Sequence, residues 1–234
     1  MDLNSAITLE GSSHLVVKFF GNTQMWFDTV KKILSIKKNM YLISLNDSIL
    51  YQRGIYPSDD FDVTTKYGMN TVVTNNPELR QYIDKIIKQI EIWLKSNSIS
   101  KLVIVIRSVE TDEVLERWHF DIELNNGENG IPMPENIPPE QAVEIQKETI
   151  RQIRGILRQI TSSVSYLPEF KEECKCTFNV LVYGDKDIEA PVAWSDSDAS
   201  LIKGGGEHVK YKPFSTLVHK VEPFVAYKPD DDYM

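Results

Sequence analysis

Leu102 to Ile106 is apolar at every position, a short unbroken LVIVI. A strand exposed on one side alternates apolar with polar residues, so a continuous run describes a strand covered on both faces. The neighbouring sequence completes the motif. Glu110–Glu113 is a polar turn, and in Val114–Ile122 the residues Trp118, Phe120 and Ile122 alternate with Arg117, His119 and Asp121. The two segments read as an antiparallel hairpin. Phe61–Tyr67 and Asn70–Thr74 make a shorter hairpin around Gly68, and Thr177–Tyr183 alternates as a further strand.

Helices flank these strands. Asn76 is a good N-cap and Pro77 suits the first helical position, where its missing N–H costs nothing. Leu79, Tyr82, Ile83, Ile86, Ile87, Ile90, Trp93 and Leu94 then recur every three or four residues, which predicts a helix from Pro77 to about Lys95 with one buried stripe. A second helix is expected after Pro138-Pro139, running to about Ser163, with Arg151, Arg154 and Arg158 as a basic stripe. An earlier helix opens at Ser12 or Ser13, with Leu15, Val16, Phe19 and Phe20 as its first apolar contacts. Asn125–Pro139, with two glycines and four prolines, reads as an exposed loop inside the domain. From Asp185 onward no helical period exists. Yet Trp194, Phe214, Val218, Val221, Phe224, Val225 and Tyr227 are too apolar for a disordered tail. That segment is extended and needs a surface to pack on, with Gly204-Gly205-Gly206 as a joint.

Charge and chemistry narrow the function classes. With 26 Lys+Arg against 34 Asp+Glu the net charge is −8, which argues against a duplex nucleic-acid binder needing a basic face. Cys174 and Cys176 exclude a disulfide-stapled fold and favour a reducing compartment. Residues 1–10 lack the basic region and apolar run of a signal peptide. The apolar stretches are too interrupted by charge to span a membrane. His14, His119, His208 and His219 are scattered, and Cys174-Lys175-Cys176 lacks the second half of a zinc site, so no metal is expected. The glycine triplet is followed by Glu207-His208 and is no phosphate loop. No nucleophile elbow appears, and Asp59, Asp60 and Asp62 fit a solvated turn. No cofactor and no enzymatic activity are expected.

Long blocks carry a resemblance. Ser48–Phe61 (SILYQRGIYPSDDF), Glu113–Glu123 (EVLERWHFDIE), Ile7–Ser12 (ITLEGS), Arg158–Glu169 (RQITSSVSYLPE) and His219–Lys228 (HKVEPFVAYK) strongly resemble the spindle-assembly-checkpoint branch of the HORMA-domain family. The resemblance covers nearly the whole chain except residues 21–46. It implies an α+β fold, three helices packed on one face of a mainly antiparallel sheet, in a single domain over 5–228. Residues 185–234 would form the family's mobile "safety belt" and tail. In the family this belt has an open and a closed arrangement, and the closed one wraps over a partner peptide added to the sheet edge.

The implied function is a mitotic conformational switch. It captures the co-activator of the anaphase-promoting complex and delays anaphase until chromosomes attach. The implied partners are the kinetochore coiled-coil protein mitotic arrest deficient one, that co-activator, other checkpoint-complex members and a second, differently folded copy of the chain. Neither nucleic acid nor membrane is among them. The nucleus and kinetochore, and also the cytoplasm, are the implied locations. Arg158, Gln159 and Tyr166 match positions of the dimerisation surface. Trp93 matches a tryptophan important for partner binding. Trp194, Phe214, His219, Phe224 and Tyr227 fall in the belt. The second reading, a HORMA adaptor of translesion polymerase and repair assemblies, shares fold and belt but serves other partners.

Residues 21–46 fit this frame badly. They hold four lysines against Asp28 alone, which leaves the rest of the chain more acidic than the net charge suggests. Relatives place only a few residues between the Phe-Phe pair and the SILYQRG block. Three accounts fit the excess: a loop excursion, a first helix rebuilt with Tyr41-Leu42 in place of Phe19-Phe20, or translated intron sequence.

Overall fold

The computed structural model describes residues 5–9, 40–124, 139–171, 174–185, 188, 190–216 and 219–229. Three helices, α1 (Met40–Gln52), α2 (Pro77–Lys95) and α3 (Pro139–Ser162), pack against an eight-stranded antiparallel sheet. In chain order the strands are β1 (Ser5–Leu9), β4 (Ile99–Ser108), β5 (Val114–Leu124), β6 (Cys176–Gly184), β7 (Trp194–Ser197), β8 (Glu207–Lys210), β9 (Phe214–Ser215) and β10 (His219–Tyr227). β2 (Phe61–Lys66) and β3 (Met69–Thr74) form the separate hairpin. Across the sheet the order is β7-β1-β6-β4-β5-β10-β8, with β9 also paired to β10. The helix expected at Ser12 or Ser13 and the loop 125–138 lie outside the described residues.

α2 shows how local sequence sets an element. The Asn76 side chain accepts hydrogen bonds from the Glu78 and Leu79 N–H groups at 3.1 and 3.2 Å. Two donors that the helix itself cannot satisfy are thereby paired. Apart from the half-buried Tyr82, the stripe from Leu79 to Leu94 is buried, each large side chain contributing about 1.5–3 kcal/mol relative to exposure. The helix stops where Asn97 turns to a positive φ of 53° and the Ser98 N–H reaches back to the Trp93 carbonyl at 2.9 Å. Asparagine tolerates that left-handed conformation better than most residues.

The LVIVI strand is covered on both faces. Leu102, Ile104 and Ile106 join the main core with Leu45, Ile49, Ile83, Ile90, Ile156 and Ile160 of the helices. Val103 and Val105 face the other way, into a second core with Val114, Leu181, Ile202 and Ala226. Helices supply the first layer. The C-terminal segment supplies the second, through Ile202. Arg117 and His119, the polar face of β5, are buried as well, with Tyr183 beside Arg117 and Phe224 stacked on His119. In α1, Tyr41 and Leu42 are core residues, and Tyr41 meets Phe214 edge-on at 5.5 Å. Phe19 and Phe20 lie outside the described residues.

Candidate functional site: a strand slot closed by the C-terminal segment

β1 sits between β6 and β7. Its register pairs Ser5, Ala6, Ile7 and Thr8 with Gly184, Tyr183, Val182 and Leu181 on one side. On the other side it pairs Ala6, Ile7, Thr8 and Leu9 with Ser197, Asp196, Ser195 and Trp194. β1 is antiparallel to both neighbours, so β6 and β7 run parallel to each other, one strand's width apart. The connection from Asp185 to Ala193 must therefore cross back from the Ser5 end of β1 to its Leu9 end.

β7 is held by contacts that do not involve β1. Trp194 meets Trp93 of α2 edge-to-face at a centroid distance of 4.8 Å, and both indoles are buried. The Trp194 N–H also bonds the Pro191 carbonyl at 2.8 Å. Such aromatic pairs are worth about 0.5–1.5 kcal/mol beyond their buried area. Beyond β7 the chain crosses the back of the sheet. Asp198 accepts from the Ser200 N–H and hydroxyl, both at 2.8 Å, and Arg107 of β4 donates to the Ser200 hydroxyl at 2.9 Å. Ile202 then enters the second core, and Gly204 and Gly205, both at positive φ, turn the chain towards β8.

At the opposite edge the segment closes on β5. His219 to Tyr227 pair residue by residue with Leu124 to Glu116. Phe224 stacks on His119 at 4.1 Å, and the Tyr227 hydroxyl donates to Glu207 at 2.6 Å, a bond that pushes its pKa up to about 12. The His219 ring lies 3.3 Å from the Asn97 amide oxygen at the end of α2. His119 is pushed down to about 3, first by burial and then by Arg117, Lys101 and His208, so it stays neutral at ordinary pH.

Between β8 and β10 the segment passes over the helix face. Tyr211 stacks on Trp118 at 5.8 Å. The Trp118 indole N–H donates to Glu116 at 3.0 Å, and Glu116 pairs with Arg53 at 2.5 Å. Burial raises the Glu116 pKa, with Arg53 opposing. Arg53 also donates to the Pro168 carbonyl and lies over the Phe170 ring at 4.4 Å. The segment's backbone is held by two glutamines of α3, seven residues apart and so on one face. Gln152 accepts from the Ser215 N–H at 2.6 Å, and Gln159 from the Lys212 N–H at 2.8 Å.

The sequence-derived residues therefore fall into three groups. Trp93 and Trp194 come together at the β7 edge, and Phe214, His219, Phe224 and Tyr227 at the β5 edge. Arg158 is exposed on α3, beside a Gln159 committed to the C-terminal segment. Tyr166 stands with them and donates to the Tyr211 hydroxyl at 3.2 Å. Arg151 separates from this stripe, because it holds Glu148 of its own helix at 2.6 and 2.7 Å. Gln152 and the Arg53–Glu116 pair were invisible to sequence reasoning. The seven-residue glutamine spacing was the available signal.

The HORMA-domain family profile matches residues 35–208. A Dictyostelium discoideum protein, "Mitotic spindle assembly checkpoint protein MAD2A", is 38% identical over 97% of this chain and 95% of its own length. The Homo sapiens protein of that name is 38% identical over 95% of this chain and 93% of its own. Among solved structures, a chain of the "Crystal Structure of Mitotic Checkpoint Complex" matches with a TM-score of 0.71 at 39% identity, covering 83% of this chain and 98% of that one. C. elegans HTP-2, described as bound to the HIM-3 closure motif, matches with a TM-score of 0.61 at 15% identity. That match covers 83% of this chain and 90% of that one, and it speaks for the fold alone. The chain belongs to the HORMA-domain family. Within it the chain sides with the mitotic spindle checkpoint proteins of the MAD2 type, which favours the checkpoint reading over the polymerase-adaptor one.

Proposed function

We propose that this protein is a peptide clamp of the spindle checkpoint. It holds a partner peptide as an added strand between β6 and β7 and locks it there with the segment from Trp194 to Tyr227. The observation that carries this is the slot itself: β6 and β7 lie parallel and one strand apart, with a strand seated between them and the C-terminal segment running on to the far edge. Main-chain bonds to an added strand supply affinity and side-chain pockets supply selectivity. The arrangement agrees with the family's closed form. The names of the relatives and of the matched checkpoint complex support the same reading.

The partners proposed are the co-activator of the anaphase-promoting complex, whose capture delays anaphase, and mitotic arrest deficient one, which would hold the clamp at kinetochores. Nucleus, kinetochore and cytoplasm are the proposed locations. The action is stoichiometric binding rather than catalysis. A second copy would dock on α3 through Arg158, Gln159 and Tyr166. Two of these residues touch the belt, so the docking face differs according to where the belt lies.

The test is capture of peptides from the co-activator and from a translesion polymerase assembly by the purified chain. Retention of the co-activator peptide is expected, weakened at least tenfold by Trp194→Ala. A chain that keeps only the polymerase peptide would sink the checkpoint reading in favour of the adaptor.

A further inference from the structure

The strand seated in the slot belongs to the protein itself. β1 is the chain's N-terminal strand, and both of its pairing partners, β6 and β7, are walls of the slot. β7 has β1 as its strand partner, while its position is secured independently by Trp93, Pro191 and the Asp198–Ser200–Arg107 bonds. The slot is therefore built by one part of the chain and filled by another.

Resting on the peptide-clamp reading, we infer that the N-terminal strand is a tethered stand-in for the partner peptide, and that it must leave the slot before a partner can enter. The occupant contributes four register pairs to each wall. The belt's own closure against β5 runs over nine. An occupant bound along so short a ladder can be exchanged without dismantling the clamp. The register also describes the competitor. Ile7 lies opposite Val182, and Leu9 opposite Trp194, both wall residues belonging to the main core; Ala6 and Thr8 lie opposite Tyr183 and Leu181 on the reverse face. A peptide that displaces β1 carries apolar residues two positions apart, in the same strand direction.

The tether makes this competition effective. β1 and the walls of the slot belong to one chain, so a strand that leaves the slot does not leave the molecule. An expelled strand thus stays near the slot at an effective concentration on the order of millimolar. A binding site open for only a fraction of the time shows its intrinsic affinity reduced by that fraction.

The experiment compares the full chain with a form lacking residues 1–9 and with the full-length variant Ile7→Pro, which cannot complete the central ladder. Two fluorescent probes are used: a synthetic peptide spanning residues 4–10, and the co-activator peptide. The 4–10 peptide should bind the shortened chain and the Ile7→Pro variant but not the full chain. The co-activator peptide should bind both altered forms roughly tenfold more tightly than the full chain, as expected for removal of a tethered competitor. Equal co-activator affinity across the three proteins would overturn the inference and leave the clamp reading intact. So would failure of the 4–10 peptide to bind the shortened chain while the co-activator peptide binds it. If the co-activator peptide binds none of them while the 4–10 peptide enters the emptied slot, the inference stands and the choice of partner falls.

Discussion

The two edges of the sheet are closed by the same C-terminal segment but in opposite styles. At the β5 edge, β10 pairs over nine residues, and Tyr211, Phe214 and Phe224 seat aromatic rings on both faces. At the β6 edge, β7 reaches the sheet only through β1, by four pairs on each side, with Trp194 as its main apolar anchor. A long ladder with aromatic anchors opens as a unit, whereas a short ladder opens locally. One edge is a lock and the other a seat. An occupant can be exchanged at β6 while the fold at β5 stays closed.

The largest expected effect breaks the lock. Phe214 is 1% exposed and packs on Tyr41. Phe214→Ala should destabilise the chain by about 3–5 kcal/mol, the cost of emptying a large aromatic site. Urea unfolding followed by tryptophan fluorescence measures this. A loss below 1 kcal/mol would mean that the belt is not anchored by its aromatic residues.

Acid separates the edges next. His119 stacks against Phe224 at the lock. Its folded pKa, near 3, is below its ordinary value of 6.5. Between those values the unfolded chain binds the extra proton, so stability falls as pH drops from about 6.5 towards 3. This one residue contributes a slope of up to about 1.4 kcal/mol per pH unit. His119→Gln should flatten that part of the stability profile, and a profile unchanged by the substitution would remove His119 from the account. The smallest effect concerns the glutamines: Gln159→Ala removes one bond to the belt backbone at Lys212, with an expected loss of about 0.5–1.5 kcal/mol. Amide exchange in residues 211–216 should rise while that in β4 stays unchanged.

Local signals predicted the elements well, and long-range pairing explains what they missed. Asn76-Pro77 and the isoleucine stripe set α2 from Pro77 to Lys95, as expected. Alternation likewise marked β5 and β6, and Gly68 marked the turn between β2 and β3. Arg117 and His119 stood only as the polar partners in that alternation, and nothing near them in sequence shows that Phe224, about 100 residues later, will stack on His119. Arg53 and Glu116 each look like a surface charge until the fold sets them 2.5 Å apart. The family blocks pointed to a belt and to its aromatic residues. They could not show that the N-terminal strand lies between β6 and β7, because strand order across a sheet is decided by competition among edges.

The path of the C-terminal segment has a kinetic consequence. From Gly184 it crosses back along β1 to Trp194, runs up its outer side, crosses behind the sheet and fastens at β5, so the seated strand lies inside a closed circuit of chain. A ligand on an open surface departs when its own contacts fail. A strand inside a circuit departs only when the circuit opens or when it slides out lengthwise. With the β5 fastening shut, exchange runs along the axis of the slot, so the length of a guest and the fit of its ends govern how fast it leaves. The nine-residue ladder at the far edge keeps that circuit shut while strands trade places at the near one.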